Sequence, residues 1–139
     1  MISTHTTKSK LSGETLLTIT EIGMLAYWVF ATLVVLNVIT VDPALMYSDY
    51  QNPVIVAWNW SFFPLDVLFA FLGLIGRFGN LTHQSKQIVS TISLSLMFCA
   101  GLMAVSFWAI RGFYDPFWWG VNLWLMGLSA AFLWRKLKK

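Results

Sequence analysis

Four apolar runs, at about residues 16–39, 54–76, 88–110 and 117–134, leave this chain little choice of fold. A helix that crosses a bilayer needs about 20 predominantly apolar residues at 1.5 Å rise each, and every run meets that length. Of the 139 residues 58% are hydrophobic and 11% charged, against roughly 25% charged in an ordinary soluble domain. The sequence therefore reads as an all-α integral membrane protein, a bundle of four transmembrane helices at residues 15–139 behind a polar tail at 1–14. The Ser, Thr and Lys content of the tail suggests disorder. The apolar run behind it has no convincing small-residue cleavage site, so the tail is expected to be retained rather than removed as part of a signal peptide.

Charge predicts the orientation. Lys8 and Lys10 precede the first run, Arg77 and Lys86 flank the link between the second and third, and Arg135, Lys136, Lys138 and Lys139 end the chain. Only Arg111 lies at the opposite end. The positive-inside rule then puts both termini and the 77–87 link in the cytoplasm, with Asp42, Asp49 and Asp115 outside. Topology and anionic lipid account for the basic residues, and no nucleic-acid motif accompanies them. The outer link 40–53, with prolines near its ends and Tyr47 and Tyr50 between, suits a segment lying at headgroup level over the bundle. The short link at 111–116 makes the last two helices an antiparallel hairpin, with Arg111 pairing with Asp115 or snorkelling outward.

Cys99 is the single cysteine, so no intramolecular disulfide is available, and His5 and His83 lie outside the apolar runs. No metal site and no cofactor is expected.

Two acids interrupt the hydrocarbon. Glu21 follows Thr18 at capping-box spacing, so it either closes a helix start or faces the bundle. Asp66 has no interfacial reading. It is about eleven residues from Arg77 and about twelve from Val54, which places it near the midplane at 1.5 Å per residue. At 100° per residue Asp66, Ala70, Gly73 and Arg77 fall within about 40° of Asn59, giving the second helix one polar, small-residue face directed into the bundle. Pro64 either kinks this helix or breaks it outright, in which case Asp66 would stand in the first turn of a half-helix.

In the third run Ser93, Met97, Ala100, Ala104 and Trp108 share one side, as small residues at a packing face do. Asn122 and Ser129, seven residues apart, share a face of the fourth. Most tryptophans fall in the outer half. They form either a thick aromatic belt or, where Trp58, Trp60, Trp108 and Trp124 turn inward, the wall of a cavity above Asp66.

The stretches YQNPVIVAWNWSFFPLD, FCAGLMAVSFWAIRGFYDPFWWGVNLWLM and GMLAYWVFATL resemble the YvaD-like family of small bacterial membrane proteins. That resemblance implies a four-span protein of the bacterial inner membrane, and it carries no functional residues over. DPFWWGVNLWLMG is loosely similar to the last helix of the emopamil-binding-like superfamily, whose small bundles have embedded acids and aromatic-lined pockets.

The functional expectation is a pocket for a small lipophilic or cationic ligand, bound or transported, with Asp66 as counter-ion or proton carrier. Asn59 and Asn122 would supply hydrogen bonds, Trp60, Trp108 and Trp124 the walls, and Glu21 a second acid. Two alternatives stay open: a membrane enzyme with Asp66 and Glu21 as an acid/base pair, and a subunit or immunity-type protein whose polar face meets another chain. No catalytic residue is assigned. The bilayer is the expected partner, and the small size leaves a homo-oligomer open.

Overall fold

The computed structural model describes residues 5–43, 46–47 and 49–138, with side chains described from residue 13 onward. Its four helices are α1 (His5–Val35), α2 (Pro53–Phe78), α3 (His83–Ile110) and α4 (Pro116–Leu137). All four contain a segment long and apolar enough to cross a membrane. The expected bundle of apolar helices is therefore present.

Local chemistry sets the helix ends. Asn52 caps α2 by accepting from the Val54 N–H at 3.0 Å, and Pro53 follows where a missing N–H costs nothing. Thr82 caps α3 through the Ser85 N–H at 3.2 Å, and Asp115 caps α4 through the Trp118 N–H at 2.9 Å, again with a proline next. α1 stops in a Schellman turn. Asn37 takes φ 55°, its N–H bonds the Val34 carbonyl at 3.0 Å, and the Val38 N–H reaches back to Leu33 at 3.0 Å.

Several expectations are corrected. α1 starts at His5, so the polar stretch read as a disordered tail continues the first helix; residues 1–4 lie outside the described residues. A helix already running at Thr18 has no use for a cap there, and the Thr18 hydroxyl donates to the Glu14 carbonyl one turn back at 2.9 Å. Pro64 does not split α2, which stays helical through it, because one missing N–H removes a single bond from a long ladder. Arg111 reaches Asp49 at 3.4 Å instead of Asp115, whose carboxylate is engaged in capping α4.

The helices pack in chain order, α1 on α2, α2 on α3 and α3 on α4, and among the described residues no comparably close pairing joins α1 to α4. Glycines allow the close approaches. A Cβ at Gly76 would touch Ser90, and one at Gly101 would overlap the Asn122 carbonyl and Met126. Gly13 lies against the Phe132 ring, so α1 and α4 do meet at the end of the bundle that carries the C-terminus. The core contains Leu17, Trp28, Phe69, Met97, Ala100 and Leu125, while Ile19, Val29, Leu68, Met103 and Ile110 are exposed as lipid-facing residues should be. Gly101→Ala should destabilise the protein by ~1–3 kcal/mol through overpacking. Gly127→Ala, with open space around the new methyl group, should be neutral or better. Unfolding by SDS titration in mixed micelles distinguishes the two.

Candidate functional site

The site begins with a hydrogen bond across α1 and α2. The Trp28 indole N–H donates to Asp66 Oδ2 at 2.9 Å, with the two residues 2% and 6% exposed. Aromatic packing fixes the donor, since the Trp28 ring lies 5.1 Å from Tyr27, 5.3 Å from Trp60 and 5.3 Å from Phe63. The other carboxylate oxygen, Oδ1, is buried and has no hydrogen-bond partner among the described residues. About two turns toward the 36–52 link, Asn59 is also buried and shares a cavity wall with Tyr27.

Asp66 lines a cavity of about 310 Å³ in the seam between α1 and α4. Asn59, Asn122, Trp118, Trp124 and Tyr27 share its wall, and most of the remaining wall is apolar. A polar contact spans the seam: the Trp124 indole donates to the Thr20 hydroxyl at 3.0 Å, while that hydroxyl donates to the Leu16 carbonyl at 2.8 Å. Asn122 donates to the Trp118 carbonyl at 2.8 Å, which fixes its amide within α4.

A second cavity, of about 660 Å³, abuts the first toward the 36–52 link and shares Tyr27, Asn59, Phe117 and Trp118 with it. Trp60 and Trp108 line this outer, link-side cavity, and Tyr47 and Tyr50 of the link contribute to it. Burial holds the Tyr47 phenol above its ordinary range, so it stays protonated and able to donate.

The expected residues thus divide. Asp66, Asn59, Asn122 and Trp124 meet at the inner cavity, and Asn59, Trp60 and Trp108 at the outer one. Trp58 lines neither; it stacks on Phe107 with ring centroids 3.9 Å apart and cements α2 to α3. Glu21 also stands apart. It is 0% exposed and forms an ion pair with Arg77, whose Nε donates to the Thr18 hydroxyl at 3.1 Å. Gly73 makes room for it, since a Cβ at that position would overlap the Glu21 carboxylate. Among the described residues no group of acids, histidines or cysteines could hold a metal.

A protein family described as a family of unknown function, DUF5360, matches residues 13–139. The chain belongs to this family. It is similar to a Bacillus subtilis (strain 168) relative titled "Uncharacterized protein YvaD", at 32% identity over 122 residues, 87% of this chain and 88% of the relative. No solved structure matches. This DUF5360 chain is accordingly a multi-pass membrane protein of a family of unknown function, in line with the resemblance drawn from its motifs.

Sequence reasoning missed Trp28, Tyr27 and Thr20. A signal for Trp28 was present: it follows Glu21 by seven residues, so a bundle-facing Glu21 carries Trp28 inward with it. The ion pair yields a stability test. Arg77→Met would leave the Glu21 carboxylate buried without a counter-charge and should cost ~3–5 kcal/mol, whereas adding Glu21→Gln should restore most of the loss. Chemical unfolding of the three chains in micelles measures both effects.

Proposed function

We propose that this protein binds a small lipophilic cation in the cavity at Asp66, from which transport would follow if the cavity opened to each side in turn. The observation that carries this reading is Asp66 Oδ1, a buried acceptor without a partner among the described residues, on a residue that lines an otherwise largely apolar cavity. A charged side chain at the centre of a membrane helix costs about 2.5–3.5 kcal/mol on translocon scales, so a carboxylate kept there is best explained by a counter-charge that it receives. Trp28 engages only one of its oxygens and an indole brings no charge, which leaves that role to a ligand. The aromatic faces of Tyr27 and Trp118 in the same wall would add cation–π attraction for an ammonium group. The seam between α1 and α4 offers an amphiphile a path from the bilayer.

The acid/base enzyme reading loses support, because Glu21 is held by Arg77 and lines neither cavity. The docking reading loses it as well, since Asn59, Asp66, Ala70 and Gly73 are buried within the bundle. By the positive-inside rule the end carrying Arg77, Lys86 and the basic C-terminus faces the cytoplasm of the bacterial inner membrane, and the outer cavity faces away from it.

Two measurements test this reading. For the full chain in lipid nanodiscs, calorimetric titration with decylamine should give saturable binding that weakens at least about tenfold in Asp66→Asn, the loss expected for a desolvated charge pair. Equal affinity in the two chains would reduce Asp66 to a structural role. For orientation, Tyr114→Cys in a Cys99→Ser background should react with an impermeant maleimide on intact cells and Asn80→Cys should not; the opposite pattern would invert the topology.

A further inference from the structure

Two residues in the wall of the outer cavity carry polar groups that the Asp66 site leaves unused. The indole N–H groups of Trp108 and Trp118 are buried and have no hydrogen-bond partner among the described residues. An indole N–H can only donate, so each requires an acceptor. Trp108 is not free to swing toward headgroups: it is 4% exposed and its ring is packed against Trp58 at 5.7 Å, Phe107 at 5.2 Å and Phe113 at 5.5 Å. Trp118 stands in the first turn of α4, set there by the Asp115 cap, and belongs to the walls of both cavities.

We propose that the outer cavity is the second half of the same ligand site and receives a neutral oxygen acceptor. The ligand is then an amphiphile with an ammonium group at one end and an ester, ether or hydroxyl oxygen at the other. This inference rests on the reading of Asp66 given above. An acidic headgroup fits poorly, because Asp115 is part of the outer wall and the nearest guanidinium, Arg111, is paired with Asp49. The two ends are well separated. Trp58, whose ring touches Trp108, precedes Asp66 by eight residues of helix, about 12 Å at 1.5 Å per residue. Phe62, Ala104 and Leu125 in the inner wall call for an apolar linker.

Three probes on one carbon skeleton test this by titration into the full chain in nanodiscs, with empty nanodiscs subtracted: decylamine, the methyl ester of ω-aminodecanoic acid, and methyl decanoate. The amino ester should bind about tenfold more tightly than decylamine, the gain expected from a hydrogen bond to an otherwise unpaired buried donor, and methyl decanoate more weakly than both. Trp108→Phe and Trp118→Phe should each lower the ratio of amino-ester to decylamine affinity. Trp108→Phe should leave decylamine affinity itself unchanged, while Trp118→Phe, at a residue that also lines the amine site, is read by that ratio. Should Trp108→Phe lower the melting temperature by disturbing its aromatic neighbours, Trp118→Phe carries the comparison. If decylamine binds but the ester adds nothing, or the preference survives in both variants, this inference is overturned and the Asp66 site stands. If neither amine binds the wild-type chain, the Asp66 reading fails and this one with it.

Discussion

The hydrogen bond from Trp28 to Asp66 is the contact on which the rest of the arrangement depends. It joins the first helix to the second in the buried interior of the bundle, and it commits one carboxylate oxygen to structure while leaving the other without a partner among the described residues. Without a fixed donor, an acid at this depth would leave both of its oxygens unsatisfied. With one, it can remain in place as a half-satisfied group.

This tie works in concert with the ion pair of Glu21 and Arg77. Glu21 and Trp28 are seven residues apart on one face of α1, and Asp66 and Arg77 eleven apart on one face of α2. Antiparallel packing then matches Trp28 to Asp66 and Glu21 to Arg77. The spacings along the two axes, about 10.5 Å and about 16.5 Å at 1.5 Å per residue, differ by roughly what an extended arginine spans. The indole bond and the Glu21–Arg77 pair, spaced by helical geometry and joined by the Arg77 bond to Thr18, clamp α1 to α2 and leave its flank toward α4 lightly held. The inner cavity lies along that flank. Anchoring on one side and an opening on the other thus follow from the same pair of helix faces.

How far the sequence foretold this depends on the range of the interaction involved. Helix number and the polar face of α2 were legible, because length, hydropathy and 3.6-residue periodicity act within one segment: Asn59, Asp66 and Gly73 all face inward. The inward faces of Ser93 and Trp108, and of Asn122 and Ser129, followed from the same geometry. Partner choice was not legible. Glu21 could have served as a cap until the helix was seen to begin at His5, and Arg111 had two acids within reach, of which Asp115 was needed at its own helix start. The fates of the tryptophans were decided between helices: Trp58 stacks on Phe107, Trp124 bonds Thr20, and Trp28 holds the acid.

The central claim is that Asp66 Oδ1 is kept free to receive a cation. Solid-state NMR of the chain in lipid, with carbon-13 in its carboxyl groups and nitrogen-15 in the amine of decylamine, measures that contact directly. The account predicts a dipolar coupling between the amine nitrogen and the Asp66 carboxyl carbon that corresponds to hydrogen-bond distance and disappears in Asp66→Asn. A saturated sample with no such coupling, or one in which the amine couples to the Glu21 carboxyl instead, would contradict it.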